Sequence, residues 1–290
     1  MVATIFSQGR FNMRKVLLAT TALVALNVSA ASAEVSISGT GTFEMVDTTT
    51  TTFASDGNIV IKGTVTTDSG LTATAAQDIK FEGENDASTS INGQIADSYI
   101  DIAGDFGSIR AGNTDDALDR MDGVLPANMD LESIGASGVG TAIGDDSINV
   151  SYMSPSFNGI TVYASTTANG ASTGFGANYK NGPIHVMFQT QDDGTNDASA
   201  VGASFTAGPV TVAAGATTSK TTSATTKSSD VGASYTMGDV KFVATAQKRS
   251  TTKYSNVGVQ YNVAPGLTVK AENGSQGSTN ATWLSVEVSF

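Results

Sequence analysis

Cysteine is absent from this sequence, and histidine, tryptophan and proline are nearly so, with one, one and five copies in 290 residues. Without cysteine there are no disulfides and no thiolate chemistry. Charged side chains make up only 14%, against about 25% in an ordinary soluble domain. After residue 33 no stretch stays apolar for the ~20 residues that a membrane-crossing helix needs. Basic residues are also scarce, 15 against 27 acidic ones for a net charge of −12. Phosphate backbones are held by clustered Lys and Arg, so this balance argues against a nucleic-acid partner. No G-x-S-x-G motif and no set of metal ligands accompanies His185, which reads as an ordinary side chain rather than a catalytic base. Gly138-Val139-Gly140 lacks the strand-to-helix setting of a phosphate loop. The expectation is a non-enzyme without cofactor or metal. What the chain has in quantity is glycine, 31 residues, with Thr, Ser and Asn. That composition suits many short strands.

The first residues carry an export pattern. Met13-Arg14-Lys15 is a short basic start, and Val16 to Val28 is mostly apolar but too short for a stop-transfer helix. Ala31-Ser32-Ala33 has the A-x-A form of a cleavage site, which predicts a mature start at Glu34. Residues 13–33 are therefore expected to be a signal peptide, and residues 1–12 an upstream extension ahead of the better start at Met13. Removing Arg10, Arg14 and Lys15 leaves 12 basic against 27 acidic residues, a net charge of −15.

Beyond that point apolar and polar residues alternate, which places one set on each face of a strand. Val35, Ile37, Gly39, Gly41, Phe43 and Met45 share one face, and Ser36, Ser38, Thr40, Thr42 and Glu44 the other. An internal repeat follows. Phe175-Gly176-Ala177-Asn178-Tyr179 recurs as Val201-Gly202-Ala203-Ser204-Phe205, as Val231-Gly232-Ala233-Ser234-Tyr235 and as Val257-Gly258-Val259-Gln260-Tyr261. Each copy precedes a glycine-containing turn, at Asn181-Gly182, Ala207-Gly208, Met237-Gly238 and Val263–Gly266. The unit is a repeated hairpin.

Sixteen strands are expected, at 34–46, 57–67, 70–81, 95–103, 106–113, 146–153, 158–167, 172–180, 183–190, 198–206, 209–217, 228–236, 239–247, 253–262, 267–273 and 280–290. Fourteen is the alternative count. Short connections alternate with longer ones, and the connection after the fifth strand is the longest. Outer-membrane barrels have short periplasmic turns and longer outer loops. In lipid every backbone N–H and C=O must be paired within the protein, which a closed antiparallel sheet achieves. The expected fold is all-β, a 16-stranded antiparallel transmembrane barrel over residues 34–290 with its third long loop folded inward. A barrel of that width holds water, so the polar face points in. Tyr179, Phe205, Tyr235 and Tyr261 share the apolar face just before short turns, where an aromatic girdle belongs.

The export signal, the strand count, the long connection and the terminal Phe290 resemble the Gram-negative general porin family. Asp101-Ile102-Ala103-Gly104-Asp105-Phe106-Gly107-Ser108-Ile109-Arg110-Ala111-Gly112-Asn113 is similar to that family's strand 4–turn–strand 5 segment. The resemblance implies homotrimers in the outer membrane of a Gram-negative bacterium, and passive diffusion of small hydrophilic solutes and ions. It implies a loop folded into the lumen as a constriction, and Phe290 as part of the signal read by the barrel-assembly machinery.

Residues 114–145 are the leading functional candidate, because structureless loops longer than about 12–15 residues are usually functional. The segment holds Asp115, Asp116, Asp119, Asp122, Asp130, Glu132 and Asp145 against Arg120 alone. If its start is helical, Asp115, Asp119 and Asp122 share one face, and Leu118, Met121 and Leu125 a neighbouring one. The acidic face is expected to line the pore, with Asp130 and Glu132 next to it, and to favour cations. By strand parity Lys62, Lys80 and Arg110 face the lumen as a basic wall, and His185, Lys241, Lys270, Asp101, Glu44 and Glu287 also point inward. Asp115-Asp116 and Asp145-Asp146 could carry Ca²⁺, though without the spacing of a dedicated loop. Two other readings compete: a surface-exposed β-repeat protein or adhesin, and a barrel enzyme with a Ser/His pair at its outer rim.

Overall fold

The computed structural model describes residues 32–83, 92–121, 124, 126, 131, 147–167 and 170–290. Strands run in chain order: β1 (Ser32–Asp47), β2 (Thr51–Thr66), β3 (Thr72–Gly83), β4 (Asn92–Gly104), β5 (Gly107–Thr114), β6 (Ser147–Met153), β7 (Ile160–Thr167) and β8 (Thr173–Asn181). They continue as β9 (Ile184–Asp192), β10 (Asp197–Ala207), β11 (Val210–Lys220), β12 (Thr225–Met237), β13 (Val240–Arg249), β14 (Thr252–Ala264), β15 (Leu267–Gln276) and β16 (Thr279–Ser289). Each strand pairs antiparallel with its chain neighbours, and β1 pairs with β16, so the sheet closes into one barrel of sixteen strands. Closure removes the two edges whose unpaired N–H and C=O groups lipid could not satisfy.

The alternation read in the sequence sorts into an outside and an inside. Val201, Phe205, Val212, Val231, Tyr235, Val257 and Tyr261 are exposed on the outer face. Their neighbours of opposite parity, such as Ala200, Ala213, Asp230 and Asn256, are buried on the inner one. A soluble protein would hide the first set; here lipid is the solvent for it. One break in parity needs a bulge. Asp78 pairs with Asp97 but Ile79 pairs with Ile95, so Ala96 is the extra residue. The bulge lets Ile95 share the outer face with Ile100 despite their odd spacing.

One end of the barrel is closed by tight turns. Gly182, Gly208 and Gly238 each open a two-residue turn at φ 55°, 57° and 58°, a conformation that costs glycine nothing. Tyr179, Phe205, Tyr235 and Tyr261 sit on the outer face just before these turns and the one at Pro265-Gly266. The chain terminus lies at the same end. Gly39 and Phe290 exchange both backbone hydrogen bonds at 3.0 Å. The Phe290 ring covers Gly39, where a Cβ would lie 2.8 Å from ring carbon Cζ.

The other end differs from expectation. Apart from the connections between β3 and β4 and between β5 and β6, its connections are of two to five residues; β13 and β14 are joined by Ser250-Thr251 alone. The strands there are longer than the alternation suggested, β12 beginning at Thr225 and β15 ending at Gln276. Ser and Thr on both faces erase the alternation signal, yet Thr favours extended backbone and the ladder continues past the apolar band.

Candidate functional site

The inner face is lined by short polar side chains with a few charges. Lys62 lies opposite Ser36 and Ala76, Lys80 opposite Asn58, and both are exposed to the lumen. Asn58 donates through Nδ2 to both Asp78 carboxylate oxygens, at 3.1 and 3.2 Å. Lys270 bridges Glu287 at 2.8 Å across β15 and β16. His185 shares the inner face with Met187 and lies opposite Ser204. A wall of this kind offers many hydrogen-bonding groups to a polar solute.

Residues Thr114 to Met121, at the start of the segment after β5, lie against this wall. They form a single turn rather than a helix of several turns, with Arg120 N donating to Asp116 O at 3.2 Å and Met121 N to Leu118 O at 3.2 Å. Asp116 is the cap. Its Oδ1 accepts from Leu118 N at 2.6 Å and Asp119 N at 3.2 Å, and Oδ2 accepts from Ser165 Oγ at 3.2 Å. Ala117, Leu118, Met121 and Val124 pack with Tyr163, Met187 and Ala200, all buried. Room for them comes from glycine: a Cβ on Gly174 or Gly176 would lie 3.0 Å from Leu118 methyl carbons, and one on Gly176 would also strike Met121 Sδ. Gln189 Nε2 donates to Leu118 O at 2.8 Å. Further along, Leu131 N donates to Glu272 Oε2 at 2.7 Å, and a Cβ on Gly258 would lie 2.9 Å from the Leu131 side chain.

Arg120, the segment's lone basic residue, crosses to a different part of the wall. Nη1 donates to Ser151 Oγ at 2.8 Å, and Nη2 to Ser108 Oγ at 3.0 Å and Asp101 Oδ2 at 3.3 Å. Arg110 Nε donates to the same Asp101 oxygen at 3.1 Å, and its guanidinium lies 3.9 Å over the Tyr99 ring. One carboxylate thus serves two guanidinium groups. Burial, and next the charge of Arg110, hold the Arg120 pKa below its ordinary value, with Asp101 pulling the other way. Asp101, shared between the two guanidinium groups, is what makes their proximity tolerable.

The sequence candidates are therefore distributed as follows. Asp115 and Asp119 are half-buried within the wall-bound segment, and Asp116 is buried as its cap. Asp122, Asp130 and Glu132 lie outside the described residues, as do Asp145 and Asp146. Arg110 is engaged by Asp101 in the wall, while Lys62 and Lys80 make no ion pair with a described residue. Among the described residues no three His, Cys, Asp or Glu groups gather as metal ligands. Asp116, Arg120 and Gln189 are the positioning residues that parity alone did not single out. The signal that could have found their contact is the glycine of the repeat. Gly176 and Gly258 face inward at equivalent repeat positions, and a glycine inside a strand marks close approach of another chain segment.

Ala33 and Glu34 of β1, flanking the expected cleavage, pair with Val65 and Thr64 of β2. The upstream extension at 1–12 and residues 13–31 of the expected signal peptide lie outside the described residues.

Curated proteins include no match to the sequence. Solved structures do match in fold. Two engineered variants of the Rhodopseudomonas blastica porin align with TM-scores of 0.75 and 0.76. Each is 19% identical, and the alignment covers 88% of this chain and 100% of theirs. A family profile described as Gram-negative porin matches residues 19–281. With a closed sixteen-stranded barrel, an apolar outer face and a polar lumen, the chain belongs to the Gram-negative porin family and forms a channel in the outer membrane.

Proposed function

We propose that the channel passes small hydrophilic solutes by diffusion, prefers cations, and is narrowed by the acidic segment between β5 and β6. The observation that carries this reading is the seating of Ala117, Leu118 and Met121 on the inner wall. It ties one end of an acid-rich segment to the lumen, where low-dielectric walls focus the field of each carboxylate. Asp115 and Asp119 are the nearest described acids, and Asp122, Asp130 and Glu132 extend the set. Lys62 and Lys80 moderate the preference from the wall. Acids more than a Debye length of about 8–10 Å from the passing ion are screened. Reversal potentials under a salt gradient in planar bilayers test this. Asp115→Asn with Asp119→Asn is expected to lower the cation preference, more at low salt than at high. An unchanged reversal potential would remove the acidic segment from the selectivity of the pore.

The same reading includes homotrimers, export with cleavage between Ala33 and Glu34, and recognition of Phe290 by the barrel-assembly machinery. Phe290 closes the β1–β16 seam through two backbone bonds, and these are available to any residue at that position. Its ring lies over Gly39 on the lipid side and is more than half exposed. Phe290→Ala is therefore expected to cut outer-membrane yield in cells several-fold while refolding into detergent micelles stays near the parent's. Equal yields in cells would remove Phe290 from the assembly signal.

A further inference from the structure

Cations are scarce in this chain, yet three of them meet on the lipid-facing side of β12–β14. Lys248 and Lys253 are direct cross-strand partners next to the Ser250-Thr251 turn. Like charges placed opposite each other destabilise a sheet. Lys227 joins them because Ser250 N donates to the Lys227 carbonyl at 2.9 Å, which draws the end of β12 against the turn. Ser250 holds a left-handed backbone at φ 52° to make that turn. All three side chains are exposed.

The surroundings do not neutralise them. The outer-face residues of β11 to β16 include no carboxylate: Asp230, Glu272 and Glu287 have inward parity. Arg249 also has inward parity. The nearest outward acid in register is Asp197 on β10, which lies opposite Lys220 and three strands away from Lys248. Below the lysines, Ser229, Val231, Ala246, Ser255 and Ser275 line an open groove of about 450 Å³. Small side chains there leave space for a ligand that the lysines would hold from above.

The depth of the cluster says what that ligand is. On β12 the outer face runs from Tyr235 to Lys227, and on β14 from Tyr261 to Lys253. Eight residues at about 3.4 Å each, with a strand tilt near 40°, give roughly 20 Å along the membrane normal. The apolar band of such barrels is about 25 Å tall. The aromatic residues mark the short-turn boundary, so the lysine ammonium groups reach the boundary at the opposite, outer side.

We propose that Lys227, Lys248 and Lys253 form a docking site for the phosphate headgroup of an outer-leaflet lipid, with an acyl chain lying along the Val231–Ala246 groove. The inference uses the orientation of the barrel and is independent of its ion selectivity. The test is native mass spectrometry of the full barrel in neutral detergent, with diphosphoryl lipid A as probe and its dephosphorylated form and inorganic phosphate as competitors. The parent is expected to retain the diphosphoryl lipid. The triple variant Lys227→Gln, Lys248→Gln, Lys253→Gln is expected to lose about tenfold or more in affinity. Lys220→Gln, whose lysine already faces Asp197, should lose far less. Neither competitor should displace the lipid at equal concentration. Conductance of the triple variant should match the parent, since the lysines lie outside the lumen, and this verifies the fold. Equal retention by parent and triple variant would overturn the site. Displacement by the dephosphorylated lipid would show a site for acyl chains without headgroup recognition, and displacement by inorganic phosphate would reduce it to free-ion binding; either refutes the proposal.

Discussion

Asp101→Ala is expected to speed amide hydrogen exchange of residues 117–121 by about two orders of magnitude, with exchange of the flanking strands unchanged. The size follows from what the carboxylate holds together. Asp101 Oδ2 accepts from Arg110 at 3.1 Å and from Arg120 at 3.3 Å, and the side chains of all three are at least four-fifths covered. Removing the acid leaves two guanidinium groups side by side with no counter-charge. Breaking a buried pair in this way costs about 3–5 kcal/mol, and partial solvent access in the lumen puts the expectation at the lower end. Only one partner is free to leave. Arg110 is fixed to β5 and stacked on Tyr99, whereas Arg120 sits on a segment held by side chains and a single turn. The penalty therefore appears as local opening of that segment, at about 1.4 kcal/mol per tenfold in exchange. Asp101→Asn, which keeps an acceptor oxygen but no charge, should fall between. The β4 ladders with β3 and β5 use backbone groups, so heat-resistant mobility in detergent gels should not change. Exchange equal to the parent's in both variants would mean that the apolar contacts alone hold the segment.

The barrel was legible because lipid enforces a strict rule. Across the apolar band of β7 to β16 the outward positions are mostly Val, Ile, Leu, Phe, Tyr or Ala while inward ones are mostly polar or small, so a period of two survives without any tertiary information. Where both faces meet water the rule lapses, and the alternation carries no strand signal at the Thr-rich beginnings of β2 and β12. The bulge at Ala96 escaped for a related reason: one inserted residue changes parity without changing composition. What Arg110 touches did not follow from parity, since Asp101 is local but Arg120 arrives from an irregular segment with no period. The acids of that segment illustrate the limit. Asp115 and Asp116 are indistinguishable by composition, yet Asp116 is buried as the cap of the turn and Asp115 is not. The choice is made by Ser165, Leu118 N and Asp119 N, contacts that exist only once the segment has landed on β7 and β8.

The landing itself can be tested from both sides of one contact. Leu118 has no exposed surface, and its methyl groups occupy the space over Gly174 and Gly176. Leu118→Ala removes them and leaves a void on a wall that cannot collapse, because the strands are fixed by their ladders. Buried Leu→Ala changes cost about 2–5 kcal/mol. Here the cost should loosen residues 117–121 by about 2–3 kcal/mol rather than lower the stability of the barrel. Single-channel recordings should show it as a rise in open-channel current noise, as the segment leaves and rejoins the wall. Gly176→Ala attacks the same contact oppositely: its Cβ would press on Leu118 Cδ2 at 3.0 Å and on Met121 Sδ. Alone it should also raise the noise, modestly, since a methionine side chain can yield. Combined with Leu118→Ala, the added methyl fills part of the void that the first change opened. The double variant should therefore be quieter than Leu118→Ala alone, with exchange of residues 117–121 slowed about tenfold relative to it, a coupling of roughly 1–2 kcal/mol. Strictly additive effects would mean that Leu118 and Gly176 do not share a contact, and would unseat the segment from β8. Additive exchange together with unchanged current noise would go further, taking the segment out of the conducting path and with it the constriction proposed for its acids.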